Sequence, residues 1–190
     1  MNSIQRVKIK IESIIARSRV PEDPVHAKDT LKWLLALDPD SDECLRIAAL
    51  GHDIERAIEG RKVRRADFHD YDQFKAAHAI NSAKILTEVM LECGVEDKTL
   101  IQQVYDLVCR HEVGGDPRSD QLKDADSISF FNVNVPFYYQ RHGWDETKRR
   151  CIWGHARLSE KARKVVASLS FENDELNALL SKIIEETPGI

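Results

Sequence analysis

Asp40-Ser-Asp-Glu-Cys-Leu-Arg-Ile-Ala-Ala-Leu-Gly-His-Asp-Ile-Glu-Arg-Ala-Ile58 is the stretch whose reading decides the fold. Leu45, Ala48, Ala49, Ile54, Ala57 and Ile58 recur at helical spacing, which predicts one buried helix. Asp40 with Glu43 three residues on resembles a capping box at its start. Within this apolar run His52 and Asp53 lie side by side. A carboxylate in such a setting is costly unless it is hydrogen-bonded, paired or bound to a metal. Ala48 and Ala49 leave room one turn earlier, and Gly51 removes side-chain bulk at a cost of roughly 1 kcal/mol against alanine. The combination reads as a metal site.

Helical patterns continue on both sides. Ile4, Val7, Ile11, Ile14 and Ile15 share one face of a helix over 3–18, with Lys and Arg opposite. Pro21 and Pro24 break the chain, His26 begins the next helix, and Pro39 follows its end. After the central helix comes a loop with Arg61, Lys62, Arg64 and Arg65, read either as a solvated loop or as a phosphate clamp. A helix over 72–93, closed by Gly94, carries His78 on or beside its apolar stripe. Another over 97–112 places Leu100, Val104, Leu107, Val108 and His111 on the core side. Gly114, Gly115 and Pro117 mark a turn. Residues 119–131 read as a helix, although 128–135 also alternates as a strand would. Pro136 bends or starts the next segment, 145–169 is strongly helical despite Gly154, and the last helix covers 172–186. The expected architecture is all-α: one compact domain over 1–190, about eight helices with short connections.

Composition narrows the function. With 190 residues, 42% apolar and 32% charged, the chain is an ordinary globular protein. A net charge of −4 gives no general attraction to duplex nucleic acid or anionic membranes. No apolar run approaches a bilayer span and the N-terminus lacks a signal-peptide core, so a cytoplasmic location is expected. Cys44, Cys93, Cys109 and Cys151 form no Cys-x-x-Cys pair and read as free thiols.

In order, the inward-facing polar residues are His26, His52-Asp53, His78, His111 and Asp126. This ordered set, with Leu-Gly-His-Asp on an apolar helix and the Asp-Ala-Asp segment at 124–126, resembles the HD superfamily of metal-dependent phosphohydrolases over roughly residues 20–130. The resemblance implies an all-helical HD-like fold and a metal held by His26, His52, Asp53 and Asp126. It implies that His78 and His111 hold a second metal or touch phosphate, with His52, Asp53, His78 and His111 as the catalytic group. Asp124 then lies behind the metal ligands or toward the substrate. Imidazoles with carboxylates suit Mn, Fe, Co, Ni, Zn or Mg, and such an ion acidifies water and polarises a phosphoryl group. No P-loop and no Gly-x-Ser-x-Gly elbow offers another chemistry.

Two departures matter. Arg56 stands three residues after Asp53, where nucleotidase-like members carry a glutamate, and Glu55 is expected on a different face from it. Glu112 rather than a histidine follows His111, unlike the cyclic-dinucleotide phosphodiesterase branch. Candidate phosphate contacts are Arg56, Arg61, Arg64 and Arg149, with Arg157 as another, while His142 and His155 read as surface residues. The expected activity is hydrolysis of a small phosphorylated, nucleotide-like substrate, and a homodimer remains open. The alternatives are a non-catalytic metal- or ligand-sensing module and, more remotely, oxygenase chemistry at two irons.

Overall fold

The computed structural model describes residues 1–187. Every regular element among them is helical: α1 (Ser3–Ile15), α2 (Asp23–Leu37), α3 (Glu43–Gly51), α4 (Tyr71–Glu92), α5 (Lys98–Arg110), α6 (Pro117–Ser129), α7 (Val135–Ala156), α8 (Glu160–Ala167) and α9 (Asp174–Glu186). The all-α expectation holds.

Local chemistry sets the boundaries. Asn2, Asp42, Asp70, Asp97, Asp116, Ser159 and Asn173 each accept a backbone N–H at a helix start, an interaction that contributes about 1 kcal/mol. The cap of α3 is therefore Asp42, and Asp40 lies in the preceding turn. Val7, Ile11 and Ile15 of α1 are buried one turn apart. On α2 the same spacing aligns His26, Thr30 and Leu34, so the stripe that docks the helix also carries a histidine inward.

The long helix expected over 40–58 is not continuous. It stops at Gly51, turns through His52 and Asp53, and resumes as a single 3-10 turn, Ile54–Ala57. The His52 ring donates from Nδ1 to the carbonyl of Ala49, 3.0 Å away, a local bond that competes with continuing the helix. Gly51 serves packing rather than the site: a Cβ there would lie 2.5 Å from Leu86 Cδ2.

Residues 128–135 form no strand. Phe130–Asn134 is a π turn that joins α6 to α7. The helix expected over 145–169 is two helices, α7 and α8, separated at Leu158 and Ser159. Within α7, Gly143 takes φ 72°, a left-handed conformation that glycine adopts without a side-chain clash, and the helix kinks there.

Two apolar clusters result. One gathers α1 to α5 with Leu122 and Ala125 of α6. The other joins Ile128 and Phe131 to α7, α8 and α9, and Trp33 and Leu37 of α2 pack against both. The polar cluster opens beside these cores, where the C-terminal ends of α3 and α5 meet α2, α4 and α6. The four cysteines are free. No helix among the described residues is long and apolar enough to cross a membrane.

Candidate metal centre

His52 and His111 occupy equivalent places: each caps the C-terminal end of its helix, and each donates Nδ1–H to the carbonyl three residues back. His111 donates to Val108 at 2.7 Å. A helix C-terminus carries partial negative charge, which favours a cation nearby. From α2, His26 donates Nδ1–H to Ser129 Oγ at 2.9 Å, because the Ser129 hydroxyl proton is already given to the His26 carbonyl. These three rings thus have Nδ1 committed outward and Nε2 turned inward, the tautomers following from the hydrogen bonds.

The inward atoms lie close together. His26 Nε2 and His52 Nε2 are 3.3 Å apart, and Asp126 Oδ1 is 3.1 Å from the first and 3.2 Å from the second. Neighbouring ligands of an ion with bonds of about 2.1 Å stand about 3.0–3.4 Å apart, so the triangle matches one coordination face. Neutral rings here would point two lone pairs and a carboxylate at one another with no proton between them. Such a cluster is relieved by a proton or could hold a metal ion. Asp53 Oδ1, 3.8 Å from His52 Nε2, borders the same space. His26, His52 and Asp53 form one compact ligand group, and Asp53, His78 and His111 form another. His111 Nε2 is fully buried, 3.2 Å from Glu112 Oε1.

Electrostatics point the same way. Burial opposes the charged form of His52, but Asp53 and Asp126 outweigh it and push its pKa up to about 9. Burial also works against the Asp53 and Asp126 carboxylates, yet the surrounding histidines, with Arg56 beside Asp53, hold both well below the usual range.

Glu55 is the main residue that sequence reasoning misplaced. It is 1% exposed, and its carboxylate accepts from His78 Nδ1 at 2.7 Å, Val63 N–H at 2.7 Å and Asn81 Nδ2 at 2.9 Å. His78 Nε2 meets Asp53 Oδ1, also at 2.7 Å. Glu55 therefore orients His78 as an outer carboxylate orients a ligating imidazole. Lys75, paired with Glu112 beside His111, was likewise not foreseen. Burial lowers the Lys75 pKa, but Glu112 outweighs it and holds the ammonium charged.

The basic candidates separate. Arg56 lies in the site, between Asp53 and Asp23. Arg61 pairs with Glu88 and helps line a different groove, Arg64 is exposed with no side-chain partner among the described residues, and Arg149 points outward to Glu146. Of the basic loop only Lys62 lines the cleft. Arg157 lines the small cavity beside His26 and Asp126, and Arg150, which sequence reasoning left among the solvated cations, lines both. Both guanidinium groups lie over the Trp153 ring, at 4.0 and 4.5 Å, and Arg150 also lies over Phe130. Arg150 makes no hydrogen bond or ion pair to another described residue. Asp124 accepts Ser159 N–H at 3.0 Å, where α8 starts, so its role is structural. His142 is exposed, as expected. His155 is 2% exposed, against expectation, with Nδ1 bonded to Thr187 Oγ1.

His26, Asp53 and Asp126 line a small cavity of about 50 Å³. It shares Arg56, Lys75, Phe130, Asn134 and Arg150 with an adjoining cleft of about 290 Å³, whose walls include Tyr71, Phe74 and Tyr138. Asn134 is buried and makes no side-chain hydrogen bond.

No curated protein and no solved structure matches the chain. The family described as a domain of unknown function, DUF4202, matches residues 9–180, a span holding every residue of the cluster, and the chain belongs to that family.

Proposed function

We propose that the protein is a metal-dependent phosphohydrolase of the HD type, acting on a small nucleotide-like phosphate ester. The observation that carries this reading is the triangle of His26 Nε2, His52 Nε2 and Asp126 Oδ1, three electron-pair donors within 3.1–3.3 Å of one another. His26, His52 and Asp126, with Asp53 beside them, would hold a divalent ion. Both nitrogen and oxygen donors admit Mn, Fe, Co, Ni, Zn or Mg. Such an ion, when bound, supplies Lewis acidity toward a phosphoryl oxygen and acidifies water.

The chain's own residues supply the rest. Lys62 and Arg150 face the cleft without a carboxylate partner, and Lys75 and Arg157 line the adjoining small cavity from the Glu112 side. Arg150, held over the Phe130 and Trp153 rings, presents a guanidinium fork suited to phosphate oxygens. Because its pair with Glu112 keeps Lys75 charged, its role is a fixed positive contact rather than a proton donor. The wider cleft supports the nucleotide-like part of the proposal: Tyr71, Phe74, Phe130 and Tyr138 offer faces to a planar ring, and Asn134 offers an unsatisfied carboxamide to its edge.

Arg56, at the position of a glutamate in nucleotidase-like members, favours a second reading, a module that binds metal or ligand without hydrolysis. One experiment separates the two. The protein is stripped with chelator, reloaded with Mn, Co, Zn or Mg, and assayed for phosphate release from a panel of phosphorylated metabolites. Hydrolysis lost on chelation and on Asp126→Asn is expected. Metal in place with every ester left intact rejects the hydrolase in favour of the module.

A further inference from the structure

The cluster has two halves that share Asp53, and the halves are not alike. In the first, His26, His52 and Asp126 stand at even spacings of 3.1–3.3 Å. In the second, Asp53 Oδ1 is 2.7 Å from His78 Nε2 but 3.9 Å from His111 Nε2. His78 also has its other ring nitrogen on Glu55, so both nitrogens already face carboxylate oxygens.

Arg56 accounts for the asymmetry. One of its terminal nitrogens donates to Asp53 Oδ2 at 2.9 Å, and the other meets Asp23 Oδ1 at 2.8 Å. Asp23 is 5% exposed and is itself held by the Ser18 hydroxyl at 2.6 Å. The guanidinium is thus pinned at both ends and cannot swing aside without stranding a buried carboxylate. With Oδ2 taken by Arg56, Asp53 could join two ions only through Oδ1, which His78 Nε2 already meets at 2.7 Å. The guanidinium also stays charged at any ordinary pH and repels a second cation at short range.

We infer that Arg56 holds the centre to a single divalent ion, in the half formed by His26, His52 and Asp126, by taking the Asp53 oxygen and supplying the positive charge that a second ion would bring. The inference rests on the metal centre proposed above and assigns Arg56 as a positioning residue for that centre. It leaves the half formed by Asp53, His78 and His111 without an ion and runs against chemistry at a pair of irons.

The test counts ions. Chelator-stripped protein is dialysed against excess Mn²⁺, the bound metal is measured by elemental analysis, and the low-temperature electron paramagnetic resonance spectrum is recorded. The wild type should bind one Mn²⁺ with the signal of an isolated ion. Arg56→Gln should bind a second, at least about 10-fold more tightly than the wild type does, the scale for changing a residue behind metal ligands, with the signal of a coupled pair. Should Arg56→Gln misfold, Asp23→Asn combined with Arg56→Gln removes the stranded charge and is expected to bind two ions. Two ions in the wild type, or one in either folded variant, overturns the inference while leaving the metal centre standing. No ion in the wild type overturns both.

Discussion

Replacing Glu55 by glutamine or by alanine should give two very different proteins. The Glu55 carboxylate is 1% exposed and accepts from three donors, His78 Nδ1, Val63 N–H and Asn81 Nδ2. Hydrogen bonds to a charged acceptor contribute about 1.5–3 kcal/mol each. Only the His78 donor is deeply buried, whereas Val63 and Asn81 are part-buried and can be rehydrated once the carboxylate is gone. Counting the first bond in full and the others at about half gives about 3–6 kcal/mol for Glu55→Ala. Glu55→Gln can keep all three contacts. Its oxygen stays on Val63 and Asn81 and its amide donates to His78 Nδ1, so the ring, doubly protonated between Glu55 and Asp53, gives up its Nδ1 proton and keeps the one on Nε2, facing Asp53. That exchange loses only the charge, a cost of about 1–2 kcal/mol. Urea unfolding followed by circular dichroism at 222 nm gives both values, and nitrogen NMR of the histidine rings reports the His78 tautomer. Equal losses for the two variants, or an Nδ1 still protonated in Glu55→Gln, would refute the assignment of Glu55 as the group that orients His78.

Further outcomes follow from the same geometry. Asp126→Asn should stay folded, lose its metal and lose at least about 100-fold in turnover, checked by elemental analysis beside the kinetics; full metal retention would remove Asp126 from the ligand set. Arg150→Ala should raise KM with kcat nearly kept, while Arg61→Ala and Arg149→Ala leave both unchanged; a kcat collapse in Arg61→Ala would show that the basic loop reaches the chemistry after all. In metal-free protein the charged form of His52, with its pKa pushed up to about 9, contributes stability that is complete below about 6.5 and lost as pH rises through about 9. Asp53 and Asp126, held below their usual range, act oppositely: their contribution is present above about 3.8 and lost as pH falls further. An incoming ion must displace the His52 proton, so Mn²⁺ affinity should climb with pH, with about one proton released at neutral pH. Calorimetry in buffers of different ionisation enthalpy measures this, and pH-independent affinity would contradict it. Gly51→Ala should cost about 1–2 kcal/mol, because crowding against Leu86 outweighs the gain in helix propensity, as thermal melting would show.

The residues that were legible in the sequence are those whose helical register alone sets their direction. His26, which shares a face with Thr30 and Leu34, stands at a helix start and was assigned through the family resemblance, whereas His78 lies among Phe74, Ala79 and Leu86, so periodicity placed it inward. His111 ends the stripe of Val104, Leu107 and Val108 in the same way. Glu55 was illegible because its direction depends on the turn at His52 and Asp53. An unbroken helix would have carried it elsewhere, and apolar spacing does not register a side chain bonding to its own backbone. Arg150 was lost for another reason: its position is set by Phe130 and Trp153, one of them across the π turn, and charge counting treats every cation on a helix alike. His155 misled similarly, since a histidine on a strongly charged helix reads as solvated until Phe131 and Thr187 close over it.

The π turn at Phe130–Asn134 also fixes a matter of phase. Each residue of an α-helix advances the side chains by about 100°, and a π turn accommodates an extra residue without passing that rotation on. Asp126 lies before it, and Arg150, Trp153 and Arg157 lie after it. Removing one residue from this turn would heal the chain into more regular helix, yet swing the downstream guanidinium groups about a quarter of a circle away from the aspartate they now face. A shorter, smoother and quite stable protein could then have its two halves of the cleft looking in different directions, so in this stretch the number of residues matters as much as their kind.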